Sequence, residues 1–302
     1  MGTVCVEVAV GDDPRLLVAL DSLVGQTRRP DRVLIAASES TPESLLAEAR
    51  LRSGPLELSV ERYPGGLVDA RAASIRSVRE ELTAFLDSDE SAPPDWLDRL
   101  LRPLERPGGP AFSGGPTRPG RPPVHPIERY YILLERSIYA NLVPSSVAYL
   151  PLQNTAWRTA VLRTLGFDPR IPYAEDHDLE TRALAAGYTG EFVPDAYVVH
   201  DKSRETSYLR WARKRYRYLL AMAMSLIKNG GLRSRLEERR PPVDHPLRYV
   251  ELALKPVALL HALVRWRRYG PGARAQPSAA AVPGPVVAPG DRPNVGGPSR
   301  KP

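Results

Sequence analysis

The stretch Thr83-Ala84-Phe85-Leu86-Asp87-Ser88-Asp89 is an apolar run that ends in two carboxylates one residue apart. The run predicts a buried β-strand that delivers Asp87 and Asp89 to the loop behind it. Because ligands of α/β proteins bind where the strands end, both side chains are expected at the mouth of a cleft. Their oxygens suit Mg²⁺ or Mn²⁺ bridging the phosphates of a substrate. The alternative is a solvated acidic turn, since Asp and Ser are common turn residues.

Strands and helices alternate around this stretch. The apolar patterns predict strands at Val4–Val10, Arg32–Ala37, Leu56–Val60 and Thr83–Leu86, and helices at Leu16–Val24, after Thr41-Pro42-Glu43 and over Val68–Glu80. Cys5 lies in the first of these strands and is expected to be buried there. Such alternation is typical of an α/β fold with a Rossmann-like, mostly parallel sheet flanked by helices.

The remainder of the chain is less regular. Pro103–Pro126 is rich in Pro and Gly and is interpreted as an excursion over the surface. The later patterns predict helices over Ile127–Tyr139, Thr159–Leu165, from Glu175 to Gly187, over Tyr208–Lys228 and between Leu247 and Arg268, a strand or loop over Leu152–Arg158, and a short strand over Tyr197–His200. Residues 270–302 have the composition of a disordered tail. The predicted units are therefore a main domain over 1–205, a basic and apolar helical extension over 206–269, and the tail.

Composition and charge narrow the classes of partner. The chain has 302 residues with 42% hydrophobic and 25% charged content, values ordinary for a globular protein. Its one cysteine excludes an intramolecular disulfide framework and a zinc site built on cysteines. A net charge of +7 fits a phosphate-bearing substrate or an anionic membrane surface, and no signature of a nucleic-acid-binding module accompanies it. Neither a signal peptide nor an apolar run of about 18 residues is expected, so the predicted location is the cytoplasm, with peripheral association at the inner face of the membrane as a variant.

Residues at two further positions are candidates for a functional role. Glu175-Asp176 opens a predicted helix, whose N-terminus stabilises a carboxylate, and the pair is either functional or a capping pair. His200 ends the last short strand and is either a metal ligand or a structural hydrogen-bonding group.

Together these segments resemble the family 2 glycosyltransferases of the GT-A fold. The resemblance rests on Asp21-Ser22-Leu23-Val24-Gly25-Gln26-Thr27-Arg28-Arg29-Pro30, on Gly66 to Arg71, on Phe85-Leu86-Asp87-Ser88-Asp89, and on Gly166-Phe167-Asp168 followed by Glu175-Asp176-His177-Asp178-Leu179 and Arg182. It covers roughly residues 4 to 200. It implies a donor half over about 1–100 and an acceptor half over about 101–205.

The resemblance also implies roles for individual residues. Asp89 coordinates the metal, Asp87 binds the ribose or the metal's water, and His200 completes the metal site. Asp176, beside Glu175, is the general base that removes the proton of an acceptor hydroxyl. Asp178 is the second candidate for the base, because the helical register is uncertain by a residue.

Donor and acceptor contacts are less well defined. Arg71 is expected near the nucleotide, although Ala72 replaces the Asn that commonly follows it. Ala37-Ser38-Glu39-Ser40 replaces the usual aspartate pair, so Glu39 and Asp12 are the candidates for contacting a uracil, thymine or guanine base. On the acceptor side, Asn154 and Trp157 are expected in the cleft, with burial in the core as the alternative for Trp157.

The predicted function is that of an inverting, metal-dependent glycosyltransferase, of the type used in cell envelope glycan biosynthesis. It moves one sugar from a UDP-, dTDP- or GDP-linked donor to a hydroxyl on a glycan, a lipid-linked acceptor, a small molecule or a peptide. Ser207-Tyr208-Leu209-Arg210-Trp211 only partly resembles the Gln-x-x-Arg-Trp signature of processive synthases, which favours single addition. The alternatives are a nucleotidyl- or sugar-phosphate transferase of similar fold, and a catalytically silent binding protein. The basic helices after His200 are expected to cover the core, form a homodimer contact, or lie on an anionic leaflet through Arg210–Arg217 and Leu219–Met224.

Overall fold

The computed structural model describes residues 1–140, 142, 149–171, 173–230 and 243–268. The strands are β1 Val4–Val10, β2 Arg32–Ala37, β3 Leu58–Arg62, β4 Leu82–Leu86, β5 Glu90–Ser91, β6 Phe112–Gly114, β7 Thr117–Pro119, β8 Asn154–Arg158, β9 Gly190–Phe192 and β10 Val198–His200. The helices are α1 Leu16–Val24, α2 Glu43–Arg52, α3 Leu67–Ser74, α4 Trp96–Leu101, α5 Pro126–Tyr139, α6 Thr159–Leu165, α7 Glu175–Ala185, α8 Tyr208–Lys228 and α9 Leu247–Arg268.

A seven-stranded sheet in the order β3-β2-β1-β4-β8-β6-β9 forms the centre of the fold. β1 to β4 pair in parallel, and β8 runs antiparallel to β4 and β6. Every residue of β1, β2 and β4 is buried, as expected for strands covered on both faces. The α/β fold with a mostly parallel sheet is therefore confirmed.

A second, three-stranded sheet in the order β5-β10-β7 lies beyond the end of β4. β10 is antiparallel to β5, and this pairing sets His200 opposite Glu90. The backbone amide of Asp201 donates to the carbonyl of Asp89 at 2.9 Å. This small sheet brings the end of β10 to the acidic loop that follows β4.

The predicted elements agree with the structure where the apolar pattern is long. β1, β2, α1, α6, α8 and α9 have the predicted bounds, whereas β3 lies two residues later than predicted and α3 ends at Ser74 instead of Glu80. Cys5 is buried as expected. The predicted disorder of 270–302 lies outside the described residues, and the domain boundaries stay a prediction.

The surface excursion predicted for Pro103–Pro126 is wrong in its central part. Phe112 to Gly114 form β6, which is fully buried in the main sheet between β8 and β9. The ring of Phe112 stacks on that of Trp157 with centroids 4.3 Å apart. A Cβ added to Gly114 would lie 2.9 Å from Cγ2 of Thr155, so the close strand spacing requires glycine here. A three-residue strand is too short to show a period among the surrounding Pro and Gly.

α8 and α9 pack against each other as a helical hairpin, with α8 also contacting α7 and α9 contacting α5. They share an apolar cluster with the segment before α7, whose fully buried members are Ile171, Ala174, Met224, Ala258 and Ala262. Both helices form as predicted. Within the described residues, no helix combines the length and apolar character needed to cross a bilayer.

Candidate active site

The acidic loop after β4 is a tight turn closed by its own residues. The amide of Asp87 donates to Oε2 of Glu90 at 3.1 Å, and the amide of Glu90 donates back to the carbonyl of Asp87 at 3.1 Å. Glu90 is buried in β5, while the side chain of Asp89 is 26% exposed. The turn thus directs Asp89 into the cleft and uses Glu90 to fix the backbone.

His200 meets this loop from β10. Its Nε2 lies 3.2 Å from Oδ2 of Asp89, and its Nδ1 lies 3.3 Å from Oε1 of Glu90 and 3.2 Å from Oε1 of Glu135. The ammonium of Lys202 is 2.6 Å from Nε2. Although burial acts to raise it, His200, Lys202 and Arg15 hold the pKa of Asp89 far below its ordinary value. Asp89 is therefore ionised and lies next to three basic side chains.

Asp89 and His200 fit the protein's share of a Mg²⁺ or Mn²⁺ site. They place one carboxylate oxygen beside one imidazole nitrogen. Burial and Lys202 act to lower the pKa of His200, but Asp89, Glu135 and Glu90 raise it to about 10, so a metal ion would have to displace a proton from this ring. Within the described ranges, no group of three or more His, Cys, Asp or Glu residues is arranged to hold a metal ion alone. Ions that act on phosphates commonly take one or two protein ligands and complete their shell with phosphate oxygens and water. Asp89 and His200 are such an incomplete set of protein ligands.

Asp87 faces a different partner. Its Oδ1 accepts a hydrogen bond from Nη2 of Arg71 at 2.6 Å, and Nε of Arg71 lies 3.3 Å from Oε2 of Glu7. Arg71 is thus clamped between β1 and the acidic loop. The structure places Asp87 with Arg71 at the cleft floor and does not place it against His200.

Glu7 was missed by the sequence reasoning. It is fully buried in β1, and burial raises its pKa to about 7 in spite of Arg71. Ser74 donates to its other oxygen at 3.3 Å. The signal was available, because Glu7 is the one charged residue in the apolar run Val4–Val10.

Glu175 and Asp176 begin α7 at the other side of the cleft. Oδ2 of Asp176 accepts a hydrogen bond from the hydroxyl of Tyr149 at 2.6 Å, and Oδ1 accepts one from the amide of His177 at 2.7 Å. Burial raises the pKa of Asp176, whereas these two hydrogen bonds act to lower it. Burial and then Asp176 raise the pKa of Glu175 to about 7, while Arg71 acts in the opposite direction. Arg71 thus acts to lower the pKa of both carboxylates of this pair.

The backbone before α7 is unusual. Tyr173 has a φ of 75°, the one positive φ of a non-glycine residue in the described part of the chain. Such a conformation is uncommon for a bulky residue and clusters at functional sites. It sets the direction in which α7 leaves the preceding turn.

Asp178 is not placed as a base. Its side chain is 1% exposed, and Nε of Arg182 lies 2.9 Å from Oδ2. Nζ of Lys228 and Nδ2 of Asn229 lie 2.9 and 3.0 Å from Oδ1. These contacts tie α7 to the end of α8, so Asp178 has a structural role and its prediction as the second candidate base is not supported.

Asn154 and Trp157 are also turned away from the cleft. Both are fully buried. Oδ1 of Asn154 accepts from Nε1 of Trp96 at 2.7 Å, and its Nδ2 donates to the carbonyl of Ala196 at 2.8 Å. Trp157 packs on Phe112 as described above. The predicted acceptor contacts are therefore corrected to core positions, because both residues lie on a central strand.

The two candidates for base recognition lie on the same edge as the acidic loop. Asp12 follows β1 and Glu39 follows β2, and both are exposed. These parallel strands pair Val10 with Ala37, so the loops that follow them are neighbours. The structure therefore brings both residues to the same edge of the sheet. They do not form a pocket with each other in the described part of the chain.

Arg15 is a second residue that sequence reasoning missed. Its Nη2 lies 2.6 Å from Oδ2 of Asp13 and 3.5 Å from Oδ2 of Asp89, and its Nη1 donates to the carbonyl of Asp201. Arg204 lies 3.3 Å from Asp13 on the other side. The start of α1 thereby holds a cation over Asp89. Nothing in the local pattern indicated this contact.

A pocket of about 280 Å³ opens beside His200. Its lining includes Arg121, Glu128, His200 and Lys202. Its volume is below that of typical small-molecule pockets, about 300–1,000 Å³. It has room for part of a substrate next to the Asp89–His200 pair.

The sequence matches a known family model, and the fold is similar to that of several solved structures. Residues 8–163 match the model of Glycosyl transferase family 2. The structure is similar to mannosyltransferase PcManGT from Pyrobaculum calidifontis in complex with GDP-Man and Mn²⁺, at 21% identity and a TM-score of 0.59, over 91% of this chain and 77% of that one. It is also similar to residues 1–349 of S. aureus TarS, at 15% identity and a TM-score of 0.54, over 87% and 81% of the two chains.

A third similar structure is glucosyl-3-phosphoglycerate synthase from Mycobacterium tuberculosis in complex with Mn²⁺, UDP and phosphoglyceric acid. The identity is 17% and the TM-score 0.52, over 74% of this chain and 78% of that one. No curated protein sequence matches the chain significantly. The family model covers more than half of the chain and includes the acidic loop. The chain is therefore a glycosyltransferase and belongs to glycosyl transferase family 2.

Proposed function

We propose that this glycosyltransferase is inverting and metal-dependent, and that it moves a single sugar from a nucleoside diphosphate to an acceptor hydroxyl. The observation that carries the proposal is the approach of Asp89 to His200 at 3.2 Å. It creates an incomplete metal site at the strand ends, where the nucleotide-binding edge of such a sheet lies. The similar structures that contain Mn²⁺ with GDP-Man or UDP support the same chemistry.

On the donor side, Asp89 and His200 would hold Mg²⁺ or Mn²⁺. When bound, such an ion offsets the negative charge that develops on the leaving diphosphate. Arg15 and Lys202 border the same corner and would contact phosphate oxygens directly, since both lie within 3.5 Å of the metal-ligand pair. Arg71, held by Glu7 and Asp87, would face the nucleotide. UDP, dTDP and GDP all remain candidate carriers, with Asp12 and Glu39 as the residues nearest to the base.

On the acceptor side, Asp176 would accept the proton of the hydroxyl that attacks the anomeric carbon. The new bond joins that carbon to the acceptor oxygen, the bond to the diphosphate oxygen breaks, and its electron pair leaves with the diphosphate. One displacement of this kind inverts the anomeric centre. Tyr149 and the backbone of His177 and Leu152 use three of the four lone pairs of the Asp176 carboxylate, so one acceptor position is left. Burial raises the pKa of Asp176, which makes its carboxylate a stronger base.

The proposal is tested by the thermal stability of the purified chain with UDP, dTDP or GDP, each with and without Mn²⁺. A ligand that binds only the folded chain raises its stability, by about 2.7 kcal/mol at 100 times its Kd. We expect a shift that requires one nucleotide and the metal together. Absence of any shift with every pair at saturating concentration would contradict the donor site.

The same preparation separates the alternatives. Assays with the matching nucleotide sugars would then detect release of nucleoside diphosphate in the presence of candidate hydroxyl acceptors. Binding of nucleotide and metal with no transfer would favour the catalytically silent protein, and turnover of a nucleoside triphosphate would favour a nucleotidyltransferase. Homodimer formation and the cytoplasmic location stay predictions.

A further inference from the structure

The outer face of α9 is apolar along most of its length. Seven of its large side chains are between 39% and 74% exposed, an unusual number for one helix: Tyr249, Val250, Leu252, Val257, Leu260, Leu263 and Val264. At 100° per residue these side chains fall on one broad side, to which Ala253 and Pro256 also belong. We call this set of nine residues the outer face. At the C-terminal end of the helix the same side carries Arg267 and Arg268.

The opposite side of α9 is already in use. Leu247, Glu251, Ala258 and Ala262 are buried, and the last two pack against α8. Glu251 fixes the rotation of the helix, because Nη2 of Arg215 in α8 lies 2.8 Å from its Oε2 and the hydroxyl of Tyr130 in α5 donates to the same oxygen. The outer face therefore cannot turn inward without breaking a buried ion pair.

This face differs from the one predicted from the sequence. One of the three alternatives that the sequence left open placed Leu219 to Met224 of α8 on a membrane surface, and another placed them over the core. The structure buries Leu219, Leu220, Ala221, Ala223 and Met224 within the cluster shared with α9. Apart from Tyr208 and Leu209 at the start of α8, the exposed large apolar side chains in the described part of the two helices lie on α9.

Charge distinguishes the possible occupants of the outer face. Glu251 is the only acidic residue in the two helices, and it is buried. The exposed basic residues of the hairpin are Arg210, Arg213, Lys214 and Arg217 in α8 and Lys255, Arg267 and Arg268 in α9. A two-fold contact between copies would bring the same basic residues of both chains toward each other. An anionic lipid surface can accept the apolar outer face and is attracted by these basic residues.

We propose that α9 lies in the plane of an anionic membrane surface, with its outer face in the boundary between headgroups and acyl chains. The helix is about 33 Å long and would contact the bilayer along its side. It would not span the bilayer, since its inner side stays packed on α8. The inference does not depend on the transfer reaction and can be tested without donor or acceptor.

The test is flotation of the full-length chain with vesicles of phosphatidylcholine alone or mixed with phosphatidylglycerol. We expect binding to the mixed vesicles, weaker binding to the neutral ones, and a decrease as salt is added. Leu260→Asp should lower the partition coefficient by about tenfold or more, because it places a charge in the apolar boundary. Leu51→Asp is the matched control, since Leu51 is 85% exposed on α2, away from the hairpin. It should bind as the unchanged chain does.

A second variant tests the electrostatic contribution. Replacing Arg267 and Arg268 by Ala should weaken binding to the anionic vesicles by about tenfold and leave binding to neutral vesicles nearly unchanged. Unchanged binding of Leu260→Asp, equal loss in Leu51→Asp, or no binding of the parent chain to anionic vesicles would overturn the proposal. A dimer in light scattering that Leu260→Asp converts to a monomer, without vesicle binding by either, would assign the face to a second copy of the chain instead.

Discussion

Nε2 of His200 lies 3.2 Å from Oδ2 of Asp89, although Asp89 follows the fourth strand and His200 ends the tenth. The pairing of β5 with β10 creates this approach, since Asp89 directly precedes β5. The candidate metal site therefore depends on the small sheet as well as on the acidic loop.

Replacing either member of this pair should abolish metal-dependent binding of the nucleotide. We expect Asp89→Asn and His200→Ala each to lose the thermal shift that needs Mn²⁺, because one remaining ligand holds the ion too weakly. Calorimetric titration of nucleotide in the presence of Mn²⁺ gives the affinity. Glu48→Gln, an exposed carboxylate on α2, is the control. A metal-dependent shift that survives both active-site changes would place the ion elsewhere.

Asp176→Asn should slow transfer by about 10²–10⁴-fold while leaving nucleotide binding intact, because it removes a base and keeps the shape. Single-turnover assays with saturating donor measure the rate, and calorimetry measures binding. Asp178→Asn provides the contrast. It should lower the melting temperature, since it leaves Lys228 without part of its buried partner, and keep most of the activity of the folded chain. A large loss of rate in Asp178→Asn, with the rate of Asp176→Asn nearly unchanged, would make Asp178 the base.

Glu175→Gln should stabilise the chain at alkaline pH. The pKa of Glu175 is raised from 4.5 to about 7 in the fold, chiefly by burial. Between these values the folded chain binds the proton more tightly than the unfolded chain, so this group's contribution to stability falls as pH rises. The variant should match the parent near pH 4 and exceed it at pH 8 by up to about 3 kcal/mol. Urea unfolding of parent and variant at both pH values measures this difference in stability. An equal stability difference at pH 4 and pH 8 would contradict the prediction.

Tyr149→Phe should move the acidic limb of the rate profile toward higher pH. The hydroxyl of Tyr149 donates to Asp176 and acts to lower the pKa of that carboxyl. Without it we expect the limb to shift by about one pH unit, with activity recovering at higher pH. A loss of rate that is the same at every pH would indicate that Tyr149 only supports the fold.

Arg71→Ala should destabilise the fold by about 3–5 kcal/mol, because it leaves Glu7 buried without its cation. The double variant Glu7→Gln with Arg71→Ala should regain part of that loss. Urea unfolding measures both, and Arg76→Ala, an exposed arginine just after the same helix, is the control. Additive losses in the double variant would show that Glu7 and Arg71 do not interact energetically.

The fold was predictable where apolar periodicity is long. Val4–Val10, Arg32–Ala37 and the helices Tyr208–Lys228 and Leu247–Arg268 were located from local pattern, and that pattern also led to the acidic loop. β6 was not found, because three residues carry no measurable period and their place in the sheet is set by contact with Trp157 and Thr155.

The candidate site divides in the same way. The sequence singled out Asp87, Asp89, Glu175, Asp176 and His200 because each lies at the end of a recognisable element, and their roles stay predictions. Asn154 and Trp157 are buried and do not reach the cleft, because they lie on opposite faces of β8 and this strand is covered on both faces. Arg15 was missed because its contact with Asp89 depends on the path of two loops, which no local pattern encodes.

The pairing of β5 with β10 has a consequence for how the chain acquires its native state. The two halves of the metal-ligand pair come from distant parts of the sequence, so a long loop must close before they meet. An ion that binds both side chains stabilises only those chains in which that loop has already closed. Mn²⁺ should therefore slow unfolding while leaving the early steps of folding unaffected.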